Sequence, residues 1–248
     1  MLILALDTTT SAGSCALMRD GRLVREEASD ASRPQASRLP GELAALLERE
    51  AVALHQIDAL AVGVGPGSFT GLRVGIATMQ GLAVALNRPL IGVSALDALA
   101  RIAFGGSGMI GGPDPPHVRR AGGAERTRPE GKRVATWIDA WRGEVYAAVY
   151  GKGHEVEPPT VDRPEHLLRR LAGQPTLFTG DGAAIHQAEI RAALGPDAYI
   201  SEPAAPLLAG AMAALATEQF TAGRRPAPHA IRPLYVRRSD AELARDRT

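Results

Sequence analysis

The chain has 248 residues, 45% of them hydrophobic, which is enough apolar material for one large folded domain or two small ones and excludes disorder of the whole. With 28 basic against 27 acidic side chains the net charge is +1, so there is no global field for nucleic acid and any RNA contact has to be local. A single cysteine, Cys15, excludes an internal disulfide. Its flanks, Ser14, Ala16 and Leu17, read as a buried strand and not as the surroundings of a nucleophile. The start of the chain reaches Asp7 after a few apolar residues with no basic lead, and reads as a strand instead of a signal peptide. The uncharged runs 74–87 and 203–217 are short and rich in Gly, Ala or Pro for a membrane span, so a cytoplasmic protein without a membrane partner is expected.

In chain order, residues 2–6 form an apolar strand ending at Asp7, Thr8 opens a Thr-rich turn, residues 14–18 form a second strand, and Asp20-Gly21 signals a hairpin into a third. Residues 38–54 predict an amphipathic helix with Leu39, Leu43, Leu46 and Leu47 on one face and Pro40 in its first turn. An apolar run, 60–64, then meets the glycine-rich string Gly65-Pro66-Gly67-Ser68-Phe69-Thr70-Gly71, and a helix is predicted over 70–86. The second half repeats this order. Residues 134–138 end at Asp139, Arg142-Gly143 turns the chain into 145–150, and 176–179 leads into Gly180-Asp181-Gly182 and another helical stretch. Two copies of strand–Asp, hairpin, helix, strand–Gly-loop–helix predict a duplicated α/β architecture, with Asp7 and Asp139 at the mouth of a cleft between the halves.

The glycine string sits where a strand turns into a helix, a place where backbone N–H groups can hold an anion. The chemistry of phosphate transfer is nevertheless missing. A P-loop needs Gly-Lys-Ser/Thr after four residues, and the only lysines are Lys132 and Lys152. The dinucleotide pattern G-x-G-x-x-G fails at Ser68 or at Thr70, depending on the starting glycine, and the G-x-S-x-G hydrolase elbow fails at Thr70. Ser68 and Thr70 are expected to cap the helix. The six histidines never recur at i,i+3 or i,i+4, so no metal site and no cofactor is expected.

The helix over 70–86 has a second, small-residue face of Gly71, Gly75, Thr78, Leu82 and Ala85 besides its apolar one. Such a helix wants cover on both sides, from another chain or from a neighbouring helix of the same chain. Residues 104–132 are dense in Gly, Pro and Arg and predict a flexible inserted linker, whose Arg119, Arg120, Arg126 and Arg128, with Arg133 just beyond, either meet solvent or touch RNA. The expected organisation is a first lobe at 1–103, this insertion, a second lobe at 133–220 and a basic tail at 221–248.

The stretches 3–10, 61–75, 89–96 and 138–146, together with the closing Pro233-Leu234-Tyr235-Val236-Arg237, resemble the bacterial TsaB family, and Gly-Pro-Gly-Ser-Phe-Thr-Gly-Leu-Arg is its most specific string. The resemblance covers nearly all of the chain outside 104–132. It implies a two-lobed actin-like, Hsp70-like and sugar-kinase-like fold built from duplicated RNase H-like units and catalytically degenerate. It also implies a non-catalytic part in threonylcarbamoylation of an anticodon-loop adenosine in tRNAs reading codons that begin with A. The implied partners are the catalytic paralogue TsaD in a heterodimer, the ATPase TsaE in a ternary complex, a second copy of the chain when TsaD is absent, and tRNA reached through the complex. The implied interface is on the first-lobe helices, at Leu39, Leu43, Leu46, Leu47, Gly71, Arg73, Val74, Gly75, Thr78 and Leu82. Asp7, Thr8, Gly65, Gly67, Ser68, Asp139, Gly180 and Gly182 are left as a vestigial cleft. Three rival readings are an ATP-dependent small-molecule kinase or ATPase using Asp7 or Asp139 with Mg²⁺, a metalloprotease, for which the metal ligands are missing, and direct tRNA binding by Arg224, Arg225, Arg232, Arg237 and Arg238.

Overall fold

The computed structural model describes residues 1–30, 32, 34–105, 117–120 and 133–236, with the backbone alone for Gln35 and for 117–120. Arg126, Arg128, Arg237 and Arg238 lie outside the described residues, as do the side chains of Arg119 and Arg120. The first half runs β1 (Leu2–Asp7), β2 (Ser14–Arg19), β3 (Arg22–Ala28), α1 (Gln35–Arg49), β4 (Ala59–Gly65), α2 (Phe69–Leu86), β5 (Leu90–Ser94) and α3 (Ala95–Ala103). The edge strand β6 (His117–Arg120) follows, then β7 (Arg133–Asp139), β8 (Val145–Gly151), β9 (His154–Asp162) and α4 (Pro164–Leu171). The chain closes with β10 (Thr176–Thr179), α5 (Asp181–Ile185), α6 (Gln187–Leu194), β11 (Ala198–Glu202) and α7 (Ala209–Thr221).

The first sheet has the order β3-β2-β1-β4-β5, and the second β6-β11-β10-β7-β8-β9. Leaving β6 aside, the second repeats the first strand for strand, with β7 in the place of β1 and β10 in the place of β4. In both, the first strand pairs antiparallel with its hairpin neighbour and parallel with the strand that carries the Gly loop. The duplicated two-lobed α/β fold expected from the order of elements is therefore the fold found. β6 departs from the reading of 104–132 as a linker, since its four residues pair antiparallel with β11 through backbone bonds. So short an edge strand has no period-2 pattern to announce it.

Alternation along each strand divides the core into layers. In β1, Leu4 and Leu6 point to an outer core with Leu39, Leu43, Leu46, Leu47, Ile76 and Met79 of α1 and α2, while Ile3 and Ala5 point to a central core. That central core holds residues of both sheets together with α3 and α7, and a third core under α4, α5 and α6 covers the far face of the second sheet. α7 follows the second sheet in sequence but packs on β1, β2, β4 and β5 of the first, whereas α3 follows the first and packs largely on β7, β8 and β10 of the second.

α1 begins at Gln35 and ends at Arg49, so Pro40 lies in its second turn and not its first. The start follows Pro34, whose extended ψ of 134° makes it the residue before the helix. The end is a Schellman turn. Ala51 takes φ +49°, its N–H donates to the Glu48 carbonyl and the Val52 N–H donates to the Leu47 carbonyl, which stops the helix before the expected residue 54. α2 ends in the same way at Asn87, with φ +53°.

The crossing of α7 onto the first sheet is fixed at its N-terminus, where three backbone donors find partners on the first hairpin. The buried Ser14 hydroxyl accepts from Leu208 N (3.3 Å) and Ala209 N (3.0 Å), and the Glu26 carboxylate accepts from Gly210 N (2.7 Å). Ser14→Ala leaves two buried N–H groups unpaired and is expected to destabilise the fold by about 1–3 kcal/mol. Urea unfolding checks this, and a stability within error of the parent would mean that α7 is held by packing alone.

Candidate functional site

β1 delivers Asp7 to the inner end of the first Gly loop, where it is 1% exposed. Its Oδ1 accepts from the Thr9 N–H (2.8 Å) and the Thr9 hydroxyl (2.6 Å), and its Oδ2 accepts from the Thr10 hydroxyl (3.2 Å). Burial pushes the Asp7 carboxyl above its ordinary range, and the threonine bonds oppose that. The same turn fills the concavity of the Gly loop. Ser68 N–H donates to the Thr9 carbonyl (2.8 Å), and a methyl group added at Gly67 would stand 2.2 Å from that oxygen. One at Gly75 would stand 2.1 Å from Thr8 Oγ1, and one at Gly63 2.8 Å from Thr9 Cγ2. Gly65 takes φ +109° beside the Leu234 carbonyl, a conformation that L side chains rarely adopt. The glycines thus serve close packing against the chain's own turn. The helix behind the loop is capped as expected by Ser68, whose hydroxyl accepts from Gly71 N (3.2 Å), while Thr70 takes no such part.

The second lobe has a counterpart. Asp139 ends β7 and accepts from Trp141 N (2.9 Å), and a methyl at Gly182 would lie 3.0 Å from the Ile138 carbonyl carbon. Gly180, at φ +112°, lets α5 start 2.0 Å, measured from an added methyl, from the Trp137 carbonyl oxygen. Asp181 is the residue that sequence reasoning passed over between those glycines. Its Oδ1 accepts from Asp139 N (3.1 Å) and Gly182 N (2.9 Å). Burial, reinforced by the Asp139 and Asp7 charges, pushes its carboxyl from 3.8 up to about 6, against the pull of the two N–H bonds. The cleft therefore collects Asp7, Asp139 and Asp181. Among the described residues, no group of three His, Cys, Asp or Glu is placed to hold a metal ion.

The residues expected at an interface divide in two. Leu39, Leu43, Leu46 and Leu47 are buried in the chain's own outer core and offer nothing to a partner. Gly71 and Gly75 are buried as well, and the close approach expected at Gly75 is made by Thr8 of the same chain. Val74, Thr78 and Leu82 are half-buried, and Arg73 is exposed, its guanidinium 3.7 Å above the Phe69 ring and its Nε donating to Tyr235 Oη (3.2 Å). The outward face of α2 is instead Arg73, Ala77, Gly81, Val84 and Ala85, with Val84 68% exposed. By length and mean hydropathy of 1.3 this helix resembles a membrane span, yet Ile76, Met79 and Ala83 seat it on its own core.

The raised pKa of Asp181 fixes a sign. Unfolded, the carboxyl ionises near 3.8, and folded it ionises near 6, so its contribution to stability declines as pH rises from about 4 to about 6. Asp181→Asn keeps an acceptor for both N–H groups and is expected to flatten that decline, recovering up to about 3 kcal/mol above pH 6. Thermal unfolding at pH 4, 5, 6 and 7 measures it, and an Asn variant with the parent's pH profile would contradict the assignment.

Comparison with known proteins agrees with this architecture. A family model described as "TsaD: tRNA N6-adenosine threonylcarbamoyltransferase" matches residues 28–245. The Escherichia coli tRNA threonylcarbamoyladenosine biosynthesis protein TsaB is 34% identical over 97% of this chain and 96% of its own length. YeaZ from Pseudomonas aeruginosa superposes with a TM-score of 0.68 at 31% identity, covering 94% of this chain and 99% of that one. An activator of 2-hydroxyisocaproyl-CoA dehydratase from Clostridium difficile shares the fold at a TM-score of 0.54 and 11% identity, over 90% of this chain and 97% of that one. With a relative of that identity matched end to end and both lobes superposing on YeaZ, the chain belongs to the TsaB (YeaZ) family of tRNA threonylcarbamoyladenosine biosynthesis proteins.

Proposed function

We propose that this chain is a non-catalytic, activating subunit in threonylcarbamoylation of the anticodon-loop adenosine of tRNAs that read codons beginning with A. It acts in the cytoplasm by pairing with a TsaD subunit, joins TsaE in a ternary complex, reaches tRNA through that complex and pairs with a second copy when alone. The observation that carries the reading is the filled Gly loop. A Gly loop that held a phosphate would need an open concavity, and here Thr9 is hydrogen-bonded into it while Thr8 lies under Gly75. Opening it would expose the buried Asp7 carboxylate and break its three threonine bonds.

The pairing surface is the outward face of α2. Ala77, Gly81 and Ala85 are small enough to let another helix come close, and Val84 adds apolar area. A stable pairing of this kind buries about 1,200 to 2,000 Å² in total. Gly81 carries no internal packing role, since a methyl group there meets nothing within 4 Å. Ala77→Arg combined with Gly81→Arg is therefore expected to leave the melting temperature near the parent's while weakening association with TsaD by more than about tenfold, through desolvated and unpaired cations. Sedimentation of mixtures with TsaD measures it. Undiminished association in the folded double variant would place the interface elsewhere.

A further inference from the structure

The segment after α7 is more than a solvated end. Arg224, Arg225 and Arg232 line one concavity of about 620 Å³ together with Val64, Gly92 and Ile231. The arm that carries Arg232 is tied down at several points. Gln80 Nε2 donates to the carbonyls of Pro228 (2.9 Å) and Ile231 (3.1 Å), and Leu234 N–H donates to the Val64 carbonyl (2.7 Å).

Two of the three guanidinium groups are also held in place by one nitrogen each. Arg225 Nη1 donates to the Phe220 and Arg224 carbonyls, with the guanidinium carbon 3.2 Å from the Phe220 ring centroid. Arg232 Nη1 donates to the carbonyls of His229 (2.5 Å) and Ile231 (3.3 Å). Among the described residues no acceptor meets their Nε and Nη2 groups. Among the described residues none of the three arginines is paired with a carboxylate, and no Asp or Glu occurs from Gln219 to Val236. Glu218, just before, is engaged by Arg101 at 2.7 Å. Three guanidinium groups around one open hollow, two of them fixed and none paired with a carboxylate among the described residues, match the geometry of a polyanion with several oxygens, since each can offer a fork of N–H donors to a phosphate.

We propose that this hollow binds the phosphodiester backbone of an RNA strand. The proposal deepens the function given above, on which it rests for the choice of RNA as the polyanion, and makes this chain itself a contact for the tRNA. Because the chain is close to neutral as a whole, the contact is local and the rest of the surface contributes little attraction.

The test is fluorescence anisotropy of a labelled, unmodified RNA stem-loop with the full chain, without TsaD, across a series of salt concentrations. Arg224→Gln/Arg225→Gln/Arg232→Gln, which keeps most of the side-chain bulk, is expected to weaken binding at low salt by about tenfold or more. It should also reduce the slope of log affinity against log salt by about two. Arg169→Ala/Arg170→Ala, on the exposed side of α4, is expected to change neither. Melting temperature and association with TsaD serve as folding controls, and both should match the parent's. No RNA affinity in the parent chain, equal affinity in the triple variant, or affinity for inorganic phosphate with none for the RNA would each overturn the proposal. Since RNA binding is read without TsaD, failure of the pairing reading leaves this outcome distinct.

Discussion

The fold depends on two small-residue helices that need cover on both sides. α3 buries Ala95, Ala98, Ala100 and Ala103, and α7 buries Ala209, Gly210, Ala211, Ala213, Ala214 and Ala216. Side chains this short bring both sheets close to the helices, so one central core joins the lobes. Each helix packs largely on the sheet of the other half, so neither half closes its core alone. The capping of α7 by Ser14 and Glu26 is the polar complement of that exchange, because it fixes where the helix enters the first lobe. Tyr150 Oη donating to Asp97 Oδ1 at 2.7 Å adds a polar tie between α3 and β8.

This close approach shapes the cleft between the lobes. The carboxylates of Asp7, Asp139 and Asp181 are drawn to one region, and the turn after β1 folds back into the Gly loop instead of leaving it open. The concavity of the Gly loop is filled by Thr9, and Thr8 lies against Gly75 of α2. The surfaces proposed for partners lie outside the cleft, on the exposed stripe of α2 and in the arginine-lined hollow beside the C-terminal arm.

Much of this was legible in the residues. The repeated strand–Asp and Gly-loop order carries the duplication because hairpin and Gly-turn chemistry is local, and the sheet orders repeat accordingly. The side of α2 that faces outward was not legible, since a helix apolar all round has no polar stripe to orient it, and Gly75 turned out to face Thr8 rather than a partner. The four leucines of α1 form one apolar face by periodicity, only the family resemblance places them at an interface, and the fold puts them in the core. Asp181 was hidden between two glycines of evident packing value, and only its nearness to Asp139 and Asp7, a tertiary fact, perturbs it. The exchange of α3 and α7 between lobes is likewise invisible to chain order.

The most direct measurement is reconstituted threonylcarbamoyl transfer to tRNA with a threonylcarbamoyl donor, TsaD and TsaE, with and without this chain, and with this chain in place of TsaD. The account predicts product only when this chain and TsaD are both present. Product from this chain without TsaD, or undiminished product when it is left out, would contradict it.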